Sequence, residues 1–210
     1  MSEQLGAACW RCQAELESAG QPLLTCPACN ALQAPAQLNH FELFGLPPTY
    51  ELDLDALEDN YRSMSRLVHP DRFATAEARE KRFSLEWSTG LNEAYATLRD
   101  PLKRAEYLLN LSGVPTQDES RTVMDPAFLS EQMEFRERLE EARDSHDPLA
   151  ALEALRRDIR SATTERMDSL RTDLGGETPS NTASAAILIQ ELKFFRKLLE
   201  EANRLEEQFD

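Results

Sequence analysis

Four cysteines stand at Cys9, Cys12, Cys26 and Cys29, and the 181 residues that follow Cys29 in this 210-residue chain contain none. They form two C-x-x-C turns separated by thirteen residues. Each turn brings two thiolates to one point, and two turns complete a tetrahedral shell with no open position. So short a segment cannot bury a sufficient core, and metal binding supplies its folding free energy. We therefore expect residues 1–38 to be a small zinc-binding module of two CxxC knuckles, a structural site, ending in a linker from Ala34 to Leu38. Rubredoxin-like iron in the same cage, a pair of disulfides and spare redox thiols are the competing readings.

The first residues carry neither a basic start with an apolar run nor an Arg-rich amphipathic pattern. With the clustered cysteines, this makes reduced thiolates and a cytoplasmic location the expectation. Mean hydropathy is -0.54, and no stretch approaches the roughly 18–20 continuous apolar residues of a membrane span. Net charge is -15. A field of that sign repels phosphate backbones and argues against a nucleic-acid partner.

Beyond the cysteines the pattern is helical. A short turn, His40-Phe41-Glu42-Leu43-Phe44, stops at Gly45 and Pro47-Pro48. Leu54, Leu57, Tyr61, Met64 and Val68 then recur three and four apart, one apolar face of a helix, with Asp53 or Asp55 as its N-cap and Pro70 as its end. A third helix is predicted from Glu77 to Leu98, bearing Phe83, Trp87, Leu91, Ala94, Tyr95 and Leu98. Asp100-Pro101 breaks it and opens a fourth, with Ala105, Leu108 and Leu109 inward. After a polar connector, three long amphipathic helices are predicted at roughly 125–144, 148–174 and 182–208. The expected organisation is 1–38 metal module and linker, 39–115 a four-helix domain, and 116–210 a three-helix bundle.

His69-Pro70-Asp71 follows a helix whose last turns carry Arg62 and Arg66. Singly, these residues would be a surface histidine, a helix stop and a turn former. In this order and place, together with Asn92-Glu93-Ala94-Tyr95-Ala96-Thr97-Leu98-Arg99-Asp100-Pro101, the segment resembles the J-domain family. The resemblance implies a contact surface rather than a catalytic site: His69, Pro70, Asp71, Arg62 and Arg66 would dock on a DnaK-class ATPase and favour hydrolysis. Pro70 stiffens the loop, Asp71 can accept charge-assisted hydrogen bonds, and the arginines can meet an acidic patch.

Phe41-Glu42-Leu43-Phe44-Gly45-Leu46-Pro47, Arg72-Phe73-Ala74, Arg104-Ala105-Glu106-Tyr107-Leu108-Leu109 and the run from Met124 to Glu137 narrow the likeness to the HscB family, over about residues 39–210. The fold expected is mainly α: a J-domain plus a C-terminal three-helix bundle, preceded by the zinc module, which resembles that of animal members. The function implied is that of a co-chaperone, not an enzyme. It would bind the iron–sulfur scaffold IscU and stimulate an HscA-type ATPase.

The periodicity alone gives Phe128, Phe135, Leu139 and Ala142 as one stripe of the first bundle helix, with Leu129 and Met133 roughly 100–140° away. In the last helix, Leu188, Leu192, Phe195, Leu199 and Ala202 are the expected core. Ile187, Phe194, Leu198 and Leu205 form a second stripe, a partner surface or a broad core. The family likeness implies a scaffold-binding set at Leu129, Met133, Glu134, Glu137 and Phe194, with Ser130 where an apolar residue is expected. The middle helix is read as ordinary core through Leu149, Leu152, Leu155, Ile159, Ala162, Met167 and Leu170. The other functional readings are a general J-protein for unfolded clients and a redox or iron protein built on the cysteines. The N-terminal module also leaves room for self-association.

Overall fold

The computed structural model describes residues 7–16, 22–114, 125–176 and 180–209. The chain divides into two compact units: Met1–Pro48 with Leu52–Arg104, and Thr49–Glu51 with Ala105–Asp210. The cysteine segment and the helices after it are thus one unit.

That unit begins with β1 (Ala7–Ala8) and β2 (Glu15–Leu16), antiparallel in register Ala7 to Leu16. Four α-helices follow: α1 (His40–Leu43), α2 (Leu54–Val68), α3 (Ala78–Arg99) and α4 (Pro101–Leu111), the boundary between units falling inside α4. Asn39 and Glu42 form a reciprocal capping box on α1. Asp53 caps α2 by accepting from Asp55 and Ala56 N–H. Gly45, at φ 64°, supplies the left-handed residue that lets the chain leave α1.

Helices α2 and α3 run antiparallel: Tyr61 pairs with Asn92 and Tyr95, whereas Val68, later in α2, meets Ser84, earlier in α3. Buried on these two helices are Leu57, Val68, Phe83, Trp87, Leu91, Ala94 and Leu98, close to the predicted faces. Leu54 differs: as the first residue of α2 it is exposed.

The second unit packs α5 (Pro126–Arg143), α6 (Pro148–Leu174) and α7 (Thr182–Glu206). Asp125, Asp147 and Asn181 cap them, with Pro126 and Pro148 at the first helical position, where the missing N–H costs nothing. Gly175 ends α6 where a Cβ would sit 2.7 Å from the Arg171 carbonyl oxygen. The core joins Phe128, Phe135, Leu155, Ile159, Ala162, Phe195 and Leu198.

Two expected faces are corrected. On α7 the buried set is Ala185, Ile189, Leu192, Phe195, Leu198, Ala202 and Leu205, while Leu188 and Leu199 are half-buried. Leu198 and Leu205 are core. The buried positions step by three more often than by four, so the stripe winds around the helix instead of staying on one fixed face. On α6, Leu149 is exposed in the first turn and Met167 is half-buried.

Candidate functional sites

The loop after α2 is built from both flanking helices. His69 leaves α2 in an extended conformation, and Pro70–Phe73 form a single 3-10 turn. His69 Nδ1 accepts from the Asp71 N–H at 3.3 Å and lies 3.6 Å from the Asp71 carboxylate. Arg72 folds back to donate to the Arg66 carbonyl at 2.9 Å. Buried Ser84 of α3 donates to the Val68 carbonyl at 2.5 Å, with Ser88 at 3.4 Å. The last carbonyl before His69 is therefore held from beneath, while His69, Pro70 and Asp71 are exposed. Asp59, Tyr61, Arg62, Ser65 and Arg66 line a shallow groove on α2. Arg62 pairs with Glu58, and both arginines are exposed. An exposed i,i+4 pair of this kind is worth well under about 1 kcal/mol and is readily exchanged for a partner's carboxylate.

The two cysteine turns share one local structure. Cys9 N–H donates to Ala14 O and Gln13 N–H to Cys9 O; Cys26 N–H donates to Ala31 O and Asn30 N–H to Cys26 O. Gln13 and Asn30 both adopt the left-handed conformation, at φ 62° and 59°. All four Sγ atoms lie within 4.8 Å of one another, and the Cys9–Cys29 and Cys12–Cys26 pairs are 3.7 Å apart. A tetrahedral ion with bonds of ~2.3 Å to sulfur requires sulfur separations of ~3.8 Å. The thiols match that spacing, carry no disulfide and could hold a metal ion.

Their acidities diverge. Burial opposes ionisation of Cys9, but the Cys12 and Arg11 backbone N–H groups and the Cys26 and Cys12 thiols bring its pKa down to about 6. At Cys29 the Ala31 backbone hydrogen bond favours the thiolate, but burial and the three other sulfurs push the pKa up to about 12. This is the behaviour of crowded sulfurs whose charges call for a cation.

The knuckles rest directly on α3. Trp10 Nε1 donates to Leu32 O at 2.7 Å, Trp87 Nε1 donates to Gln33 O at 2.8 Å, and Leu32 N–H donates to the buried Glu80 carboxylate at 3.3 Å. Trp10 meets Phe83 edge-to-face, with Arg79 5.0 Å over the indole. The sequence reading missed this interface, although a signal was present. Glu80 falls on the same three-and-four spacing as Phe83, Trp87 and Leu91, where a carboxylate needs a covering partner.

Of the bundle residues singled out, Leu129, Met133, Glu134 and Glu137 are exposed on α5. Phe194 is half-buried, edge-to-face on Phe128 and Phe195, with Arg136 5.7 Å over its ring. Deeper, Arg166 of α6 bridges Glu131 of α5 and Glu191 of α7 and lies 4.7 Å over Phe195.

A helical hairpin presenting an exposed His-Pro-Asp turn is the J-domain arrangement, and residues 39–107 match the DnaJ domain family. The chain is a J-domain protein of a co-chaperone family, not of an enzyme family. Residues 124–203 match the HSCB C-terminal oligomerisation domain, and the chain belongs to the HscB family. It is 41% identical to the HscB homolog of Shewanella loihica, over 81% of this chain and 98% of that protein. The structure is similar to human co-chaperone HscB, with a TM-score of 0.85 at 30% identity, covering 94% of this chain and 98% of that one. It also resembles chaperone HscB from Vibrio cholerae, with a TM-score of 0.72 at 40% identity, covering 82% and 100%. The bacterial likenesses leave out a stretch about the size of the cysteine module. Coverage of 94% leaves out too few residues to omit that module, so the likeness to the human protein extends into it.

Proposed function

We propose that this protein couples an IscU-type iron–sulfur scaffold to an HscA-type, DnaK-class chaperone and stimulates its ATPase during cluster assembly and transfer. The observation that carries the reading is the His69-Pro70-Asp71 turn, exposed beside Arg62 and Arg66 and held by Ser84 and Arg72. The ATPase side is assigned to residues 39–115. Residues 116–210 are assigned to the scaffold, through Leu129, Met133, Glu134, Glu137 and Phe194. Zn²⁺ is the assigned occupant of the four cysteines, whose sulfur spacing suits it, and its role there is structural. Reduced thiols this close would oxidise in a secretory compartment, which supports the cytoplasm as the working location.

Steady-state ATPase turnover of an HscA-type chaperone with IscU-type scaffold tests this. The wild-type chain should stimulate turnover and His69→Gln should lose almost all of that stimulation. Equal stimulation by both would defeat the proposal. Binding of many unstructured polypeptides in place of the scaffold would favour the general J-protein reading, and a red, iron-loaded protein would revive the redox one.

A further inference from the structure

We propose that the cysteine module sets the His69-Pro70-Asp71 loop through the Glu80–Trp87 stretch of α3, so that metal occupancy controls docking of the ATPase. This rests on the function proposed above and gives the module a part in it.

The connection can be followed residue by residue. Gln33 Nε2 approaches Cys9 Sγ at 3.5 Å and donates to Ala31 O at 2.7 Å, while the Gln33 carbonyl receives the Trp87 indole N–H at 2.8 Å. One residue therefore joins a cluster sulfur to α3. One turn back Phe83 carries Trp10, and two turns back Glu80 receives the Leu32 N–H. Between these contacts sits Ser84, fully buried, whose hydroxyl holds the Val68 carbonyl next to His69. The module thus covers the same two turns of α3 that brace the loop from beneath.

Among the described residues the module's apolar interior is small, with Cys9, Cys26, Ala31 and Leu32 as its buried apolar side chains. Such a segment keeps its shape only while its sulfurs are tied together. Untied, it withdraws the Leu32 N–H from a buried carboxylate and the Gln33 carbonyl from a buried indole, and it uncovers Phe83. Those losses fall around Ser84. A module that merely shielded apolar surface would change stability and leave the loop's affinity for its partner intact. The arrangement instead predicts coupling, and coupling is reciprocal: what loosens the α3 face must also weaken metal binding.

Trp10 and Trp87 are the chain's only tryptophans and both lie in this interface, so emission of the full-length protein reports it. Removing Zn²⁺ with a chelator that spares Mg²⁺ should shift emission to longer wavelength, and adding Zn²⁺ back should reverse the shift. Cys12→Ser with Cys29→Ser should show the shifted emission, keep its helical circular dichroism and dock on an HscA-type ATPase about tenfold more weakly. Ser84→Ala cuts the link past the metal: docking should weaken with Zn²⁺ affinity unchanged. Trp87→Phe should lower Zn²⁺ affinity about tenfold in a competition titration. Wild-type docking affinity in the double cysteine variant, with shifted emission, overturns the inference. If that variant unfolds, Ser84→Ala decides, and unchanged docking there overturns it equally. A wild-type chain that does not dock defeats the functional proposal itself, and this inference with it.

Discussion

The arginines of α2 and those between the bundle helices are used in opposite ways. The first unit carries 10 Lys and Arg against 14 Asp and Glu, a net charge of -4; the second carries 13 against 24, a net charge of -11. On α2, Arg62 and Arg66 stand in solvent, tied among the described residues to a neighbouring glutamate or to their own helix. In the bundle, Arg166 is 17% exposed and Arg156 21%, and each is engaged between helices: Arg166 with Glu131 and Glu191, Arg156 with Glu206. Cations of the first kind remain free for a partner, and those of the second kind hold the fold. The acidity of the whole chain conceals this, because most of the excess negative charge belongs to the bundle.

Reversing the exposed pair is expected to have the largest effect. Arg62→Glu with Arg66→Glu should abolish ATPase stimulation while moving the melting temperature by only a few degrees, as exposed pairs add little stability. A large loss of stability would show that these arginines hold the fold as the bundle's do. Next, Arg166→Ala leaves two glutamates facing each other's helices without their cation. The bundle should lose about 2 kcal/mol in urea unfolding, below the range for fully buried pairs because the site is partly wet. Docking on the ATPase should be unaffected, and a parallel fall in docking would erase the contrast between the units.

A smaller effect is expected at the exposed face of α5. Leu129→Ala should weaken scaffold binding several-fold, read by calorimetry, with no more than about 0.5 kcal/mol of lost stability. Phe194→Ala should cost both, because its ring packs on Phe128 and Phe195. Smallest of all is a pH effect. Burial holds the His40 imidazole below its ordinary pKa, with Glu93 opposing. The fold therefore prefers neutral His40, and this contribution is complete above the unfolded value near 6.5 and is lost as pH falls below it. His40→Gln should flatten the stability curve below about pH 6.5, a change under about 1 kcal/mol. A steeper slope in the variant would contradict that sign.

Much of this was legible in the sequence, for reasons that differ by element. The helices were readable because their apolar spacing and starts such as Asp53 and Asp100 are local, and local signals do not depend on what packs against them. The cysteine cluster was readable because spacing alone brings the sulfurs together. The α7 core was divided wrongly because a fixed 100° rule cannot follow a stripe that winds. Docking of the module on α3 escaped notice because its polar bonds run through backbone groups, Gln33 O and Leu32 N–H, which have no sequence signature. Ser84 was hidden for a related reason: a buried serine bonding a distant carbonyl looks like a filler residue on a helix.

Phe194 has one more consequence, for how such a protein changes over generations. Its ring is at once part of the bundle core and half open on the face assigned to the scaffold. Any replacement that retunes the partner there also disturbs Phe128 and Phe195. Exchange at this position should be confined to flat rings of similar size. Adaptation to a drifting partner should accumulate at Leu129, Met133, Glu134 and Glu137, which can vary without unsettling the interior.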